Sequence, residues 1–381
     1  MTSRLRAIGL SGAVLLALIA TSERSEAHKP MTSKYTYNDD VFPILRDKCG
    51  RCHVDGGIAP MSLMTYKDAL PWNESVRAEI IAGHMPPMRG LTAREMDTVL
   101  TWAAGGNSEG GSARTPQPVT LTRDWPLGAP DLVLPLPVDA SLPSGMNEDA
   151  RAFTIPTGTT EPRWIRAADL LPGTPSMVRN AVITVRSHGT VLAVWTPGDD
   201  PVPAPRGTAF LLPAGAELDV WIHYKKIWKD EGKTLVDRSR IGLYFAGPAP
   251  GSTAPSELRS LTLAPAAGAP GTFNRVLDED VQAVAIYPDA TTANATLDVT
   301  AVAADGTRTG LGHVVISQGW VRRYWFERPI ILRRNTRLEV VAKPNAADLF
   351  LPPAAAPVVP ATPANRLPLE VTLDVVAPGI R

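Results

Sequence analysis

The two cysteines of this 381-residue chain stand three positions apart, in Lys48-Cys49-Gly50-Arg51-Cys52-His53. The pattern is C-x-x-C-H, the arrangement used for covalent haem attachment. Each thiol can add to a haem vinyl group, and the histidine that follows is placed to give an imidazole nitrogen to the iron as proximal ligand. Two other uses of C-x-x-C find less support in the rest of the chain. A zinc ribbon needs a second pair of ligands, which the sequence lacks. A redox dithiol wants a βαβ setting, whereas the polar, Gly-rich run Val54-Asp55-Gly56-Gly57-Ile58-Ala59-Pro60 follows here. The expected cofactor is one covalent haem c on Cys49 and Cys52, with His53 on the iron.

An electron-transfer haem of this kind usually takes a second axial ligand from Met or His. Met61, Met64, His84, Met85, Met88 and Met96 follow the motif. Met85 is preferred because Pro86 and Pro87 stiffen its loop, so a weak thioether ligand is held with little entropy to lose. Met88 and His84 are the alternatives. A Met/His pair raises the potential relative to His/His and suits an electron acceptor.

Short helices must carry these groups. Val41, Ile44 and Leu45 give one apolar face from Tyr37 to Lys48, delivering Cys49 to a helix end, and Pro43 shortens the regular part. A second helical stretch, Thr65 to Ala82, is interrupted at Pro71. The last is the best marked: Thr92 and Glu95 form a capping box, Leu91 and Met96 a hydrophobic staple, and Met96, Val99, Leu100 and Ala103 one stripe before Gly105-Gly106. Three short helices around C-x-x-C-H match the size and order of a small class I-like cytochrome c, expected over 33–110.

Residues 1–27 have the parts of a secretory signal: Arg4 and Arg6, an apolar run from Ala7 to Ala20, and Ser25-Glu26-Ala27 as a small-x-small cleavage site. A periplasmic or otherwise exported product is expected, with no transmembrane segment after cleavage. Export fits haem c, and with both cysteines committed to haem stability must come from packing. Lys plus Arg equals Asp plus Glu at 38 each, so nothing in the charge points to nucleic acid as partner.

Beyond a Pro-rich linker at 111–130, helical periodicity gives way to short apolar or alternating runs with regular turn punctuation, including Val178–Val185, Glu217–His223, Arg240–Phe245 and Val281–Tyr287. The expected architecture is multidomain: a small all-α cytochrome c domain, then two all-β antiparallel sandwiches over 131–248 and 271–378, joined by a Pro/Ala/Gly passage at 249–270.

Several stretches also carry a family resemblance. Asp40-Val41-Phe42-Pro43-Ile44-Leu45, the attachment motif, Ala59-Pro60-Met61-Ser62-Leu63, Tyr66 and Met85-Pro86-Pro87 resemble the small cytochrome c domains that precede copper type II, ascorbate-dependent monooxygenase-like modules in exported bacterial proteins. Trp164-Ile165-Arg166-Ala167, Trp195-Thr196-Pro197-Gly198, His223-Tyr224 and Asp237-Arg238-Ser239-Arg240-Ile241-Gly242 resemble the monooxygenase module itself, the fold of peptidylglycine hydroxylating enzymes. That resemblance implies two sandwiches with one copper each. It also implies that the ligands are mostly replaced: Arg179 and Asn180 stand at a His-His pair, only His223 survives of that site, and Asp289 and Thr291 occupy the histidine positions of the second. One imidazole beside an arginine cannot hold copper at useful affinity.

The resulting expectation is an exported monohaem electron-transfer protein on a metal-free β platform that docks a redox protein partner or larger complex, with no catalytic residue of its own. Two alternatives stand beside it: an active copper- or other metal-dependent oxidoreductase fed by the haem, and a substrate-binding module in the cleft between the halves, lined by Trp164, Trp195, Trp221 and Trp228.

Overall fold

The structure, a computed structural model, describes residues 32–87, 90–117, 119–247, 254–265, 272–290, 295–316, 321–344 and 369–378. The signal-like residues 1–27 and Met88 lie outside them.

Tyr37–Val41 form a π-helical turn capped by Thr36, whose side chain accepts from the Asp39 N–H, and the turn runs into α1 (Phe42–Lys48). Pro43 is accommodated because it stands in the first turn of α1, where its missing N–H has no helical partner to lose. After the attachment motif come α2 (Tyr66–Ala69), a 3-10 turn at Leu70–Trp72 that absorbs Pro71, and α3 (Asn73–Ile81). The final helix, α4 (Ala93–Ala104), opens with the expected capping box: Thr92 accepts from the Glu95 N–H, and Glu95 accepts from the Thr92 N–H. It buries Val99, Trp102 and Ala103, but Met96 is 38% exposed and is not part of the core.

These helices do not make up the all-α cytochrome c domain expected from the sequence. The described residues are 41% strand and 17% helix, and among them only α3 and α4, of 9 and 12 residues, exceed two turns. Proline keeps the pieces short, and the chain between α1 and α2 is irregular. The apolar cluster around Tyr37, Leu45, Leu63 and Trp102 is completed by Val119 and Leu121 of the passage leading to the β region. The helical segment is a helix-bearing flank of a β protein.

The first β unit contains β1 (Leu132–Pro135), β2 (Ala140–Leu142), β3 (Glu148–Pro156), β4 (Arg163–Leu171), β5 (Val178–Val185), β6 (Val191–Trp195), β7 (Thr208–Leu212), β8 (Glu217–Lys225), β9 (Leu235–Asp237) and β10 (Arg240–Phe245). Sheet β3-β8-β5-β6 packs over β1-β10-β4-β7, with β2 and β9 as a separate ribbon. Strand β8 shows why: Leu218, Val220, Ile222 and Tyr224 point into the core, and the intervening Asp219, Trp221 and His223 face away from it.

The second unit contains β11 (Ser256–Leu263), β12 (Thr272–Val276), β13 (Val281–Ala290), β14 (Ala295–Val302), β15 (Arg308–Ile316), β16 (Tyr324–Leu332), β17 (Arg337–Pro344) and β18 (Leu369–Val376). Here β11-β18-β13-β16 packs over β12-β17-β14-β15 around a second core.

The sandwiches are not two separate antiparallel domains. Strand β11, which lies inside the passage expected to be a linker, pairs in parallel with β7, so one eight-stranded sheet runs β1-β10-β4-β7-β11-β18-β13-β16 through both units. At this junction Arg323 is enclosed. Its guanidinium lies 5.1, 5.0 and 5.4 Å from the rings of Phe210, Tyr287 and Trp325, donates to the carbonyls of Leu192 and Val191 at 2.9 and 2.6 Å, and forms an ion pair with the fully buried Asp374 at 2.7 Å.

No described helix is long and apolar enough to cross a membrane.

Candidate functional site

The attachment motif extends α1 by one turn. Cys49 N–H donates to Leu45 O at 2.8 Å, and the N–H groups of Cys52 and His53 both donate to Cys49 O, at 3.1 and 2.9 Å. Cys49, Cys52 and His53 thus stand at i, i+3 and i+4, the spacing that puts three side chains on one helical face. Gly50 is required for this turn, since a Cβ there would lie 2.6 Å from Arg46 O and 3.0 Å from the sulfur of Met64.

His53 Nδ1 lies 3.3 Å from Met61 O. A carbonyl only accepts, so Nδ1 carries the hydrogen and the lone pair is left on Nε2. Leu63 N–H donates back to His53 O at 3.0 Å and closes the loop. Burial lowers the His53 pKa, with the Met61 hydrogen bond acting against it, which favours the neutral imidazole that ligation needs. Both thiols are free. Burial pushes Cys49 up to about 12, helped by Cys52, and Cys52 up to about 11, with Arg179 and Arg51 pulling the other way. Two free thiols and an imidazole with an available Nε2, gathered on one face, fit a covalently attached haem.

The distal candidates are less closely tied to the motif. Met85 is half-buried in the loop after α3, with its N–H 3.3 Å from Glu79 O, and among the described residues it is not one of the side chains packed on the Tyr37–Trp102 cluster. His84 Nδ1 lies 3.1 Å from a Glu79 carboxylate oxygen. The sulfur placed beside the attachment turn is that of Met64, a buried member of the cluster.

The first sandwich presses directly on this motif. Arg51 forms an ion pair with Asp200, Lys229 Nζ lies 3.9 Å from Asp55, and Arg179 Nη1 donates to Ile58 O at 3.0 Å. Cys52 Sγ is 3.8 Å from Pro197 O. Gly198, at φ +80°, leaves room for that sulfur, because a Cβ there would stand 3.0 Å from it. Around these contacts lies a cavity of about 610 Å³, lined by Gly50, Arg51, Ile58, Trp125, Asp169 and Trp195 among others. Burial pushes Asp169 up to about 7, aided by Asp200 and opposed by the Leu170 N–H.

The positions that the copper-module resemblance singles out also meet here. Asn180 on β5 pairs in register with His223 on β8. His223 Nε2 lies 2.8 Å from Glu148 Oε1, and Lys225 Nζ is 2.9 Å from the other carboxylate oxygen. Burial alone would raise Glu148, but the hydrogen bonds from His223 and Lys225 outweigh it and hold the carboxyl down at about 2. Burial brings Arg179 down to about 10, with Glu148 and Cys52 acting against it. Thr291 and the side chain of Asp289 lie outside the described residues. Among the described residues no three His, Cys, Asp or Glu side chains form a group able to hold a metal ion.

Of the four tryptophans expected to line a cleft between the halves, Trp195 lines both cavities at the site. Trp221 stacks on His223 with centroids 6.2 Å apart, and Trp228 is 60% exposed. The junction itself, filled by Arg323, keeps only about 50 Å³. Sequence reasoning missed the Met61 carbonyl, which carries no residue-type signal, and the role of Arg179, whose partner is a backbone group 121 residues away.

No family model matches the chain, and no curated protein matches it. Among solved structures, the major capsid protein P2 of bacteriophage PM2 aligns at 11% identity and a TM-score of 0.27, covering 64% of this chain and 96% of that one. A putative α-L-fucosidase from Bacteroides ovatus aligns at 10% identity and a TM-score of 0.19, covering 55% of this chain and 37% of that one. The vicilin of Solanum melongena gives 7% identity and 0.15, covering 60% and 74%. Scores this low carry no argument about fold or function.

Proposed function

We propose that this chain is an exported electron-transfer protein with one covalent haem c, and that the β region is a rigid, copper-free platform presenting that haem to a redox partner. The observation that carries the reading is the set of three donors at i, i+3 and i+4, with His53 Nδ1 engaged by Met61 O so that Nε2 is left to ligate. The haem would supply a one-electron couple. The chain's own residues would do the rest: Cys49 and Cys52 would hold the group, His53 would ligate its iron, and Met85, ahead of His84 and Met88, is the preferred second ligand. The apolar cluster around Tyr37 and Trp102 keeps water from the proximal loop.

Two arrangements support the platform role over an enzyme cleft. Arg323, its aromatic cage and Asp374 lock the sandwiches together at their junction. The one histidine retained from the resembled copper module has Nε2 bonded to Glu148, with a lysine and an arginine close by. A copper ion there would meet one imidazole beside two positive charges.

The test is metal and haem stoichiometry. The full chain is matured in a host that attaches haem c, loaded with excess copper and desalted. One haem per chain with copper near zero is the expected result. One or two copper ions per chain would overturn the platform reading and return a haem-fed oxidoreductase to first place.

A further inference from the structure

One contact between the sandwich and the attachment loop comes from a half-buried arginine. Arg179 Nη1 donates to Ile58 O at 3.0 Å. That carbonyl shares a peptide plane with the Ala59 N–H, which donates to Cys52 O at 3.2 Å. The Cys52 carbonyl shares its own plane with the His53 N–H, which donates to Cys49 O at 2.9 Å. The guanidinium therefore heads a chain of aligned peptide dipoles that passes through all three residues of the motif. Hydrogen-bonded chains of this kind polarise one another, and a charge at one end strengthens each link.

Arg179 is not held in place by a carboxylate of its own. The nearby Glu148 is engaged by His223 and Lys225, and the Arg179 Nε atom is buried with no partner. A buried guanidinium nitrogen with no acceptor is costly, and a packing role would be filled better by an apolar side chain. The same edge of the sandwich also touches the attachment sulfur, through Pro197 O and the Gly198 backbone beside Cys52 Sγ.

We propose that Arg179 is a positioning residue for the proximal histidine: it fixes the loop of residues 54–63, whose Met61 carbonyl sets the His53 tautomer, and sets a permanent positive charge beside the haem-attachment edge. This rests on reading Cys49, Cys52 and His53 as a haem site. A fixed positive charge favours the reduced form of a neighbouring iron, because oxidation adds a like charge. Its removal lowers the reduction potential.

The experiment uses the full chain, with wild type, Arg179→Gln and Arg179→Lys compared, and with Lys229→Gln as a control at an exposed contact to the same loop. Amide exchange of the peptide containing Ala59 is followed by mass spectrometry in the holo and haem-free chains, and the midpoint potential by spectroelectrochemistry in the holo chain. In Arg179→Gln, Ala59 exchanges about tenfold faster, and the reduced-to-oxidised ratio at fixed potential falls about tenfold, which is about 59 mV for one electron. Arg179→Lys keeps the charge, so it recovers most of the potential but not the exchange protection. Lys229→Gln changes neither readout.

An unchanged potential in Arg179→Gln, or a loss in Arg179→Lys as large as in Arg179→Gln, overturns the proposal. If the glutamine variant does not fold, the lysine variant decides it: Ala59 exchange as slow as in wild type contradicts the clamp. A wild-type chain that takes up no haem sinks the haem reading instead, and Ala59 exchange in the haem-free variants still tests the clamp by itself.

Discussion

His53 and His223 are both half-buried imidazoles with one ring nitrogen hydrogen-bonded, yet they are held in opposite senses. His53 gives Nδ1–H to a neutral carbonyl in its own loop, which leaves Nε2 with a lone pair. His223 meets a carboxylate at Nε2, stacks on Trp221 and sits within a cluster of Glu148, Lys225 and Arg179. A histidine becomes a ligand candidate through the nitrogen its neighbours leave over. His53 has Nε2 left over directly after the two cysteines; His223 is hydrogen-bonded at Nε2 to a carboxylate, ties β8 to β3 and shares its cluster with two cations.

The sharpest break in the comparison comes from truncating each ring. His53→Ala should abolish formation of haem-bearing protein, read by haem content after denaturation, while His223→Ala leaves haem content within about twofold of wild type, the range of an ordinary surface-strand change. Equal losses would erase the distinction. Next in size is the junction that makes the β region rigid. Arg323→Ala leaves Asp374 buried without its partner and should cost about 3–5 kcal/mol in denaturant unfolding; an unchanged midpoint would mean that the cage does not hold the sandwiches together.

A smaller effect sharpens the ligand side. Met85→Ala should remove the methionine-to-iron charge-transfer band of the oxidised protein and lower the potential. A band that persists assigns the ligand to another sulfur, with Met88 the alternative. The smallest effect concerns His223's partner. Glu148 is held below the ordinary carboxylate range, at about 2, so its contribution is present above its unfolded value near 4.5 and is lost as pH falls toward 2. Glu148→Gln should flatten the wild-type loss of stability in that window and leave the profile above it unchanged. A wild-type slope retained in the variant would place the titrating group elsewhere.

The local chemistry was more legible than the architecture. The capping box of α4, the helix break at Pro71 and the strands Val178–Val185 and Arg240–Phe245 followed from spacing, because caps, prolines and alternation act within a few residues. Position i, i+3, i+4 for the motif was implicit in C-x-x-C-H once α1 ran into it. The all-α domain was not there to find, since prolines limit the helices and the cluster borrows Val119 and Leu121 from beyond the expected boundary. Strand β11 was hidden by the Pro- and Gly-rich residues around it, and its parallel pairing with β7 depends on a contact that no local pattern encodes. The contact of Arg179 with Ile58 O was illegible for the same reason: the partner is a backbone atom.

The most direct measurement of the central claim is the intact mass of the matured chain under denaturing conditions, for wild type and for Cys49→Ala/Cys52→Ala. The account predicts that wild type retains the added mass of one haem after unfolding, whereas the double variant shows the polypeptide mass alone. A wild-type chain with no added mass, from a host that attaches haem to a control protein in parallel, would contradict it.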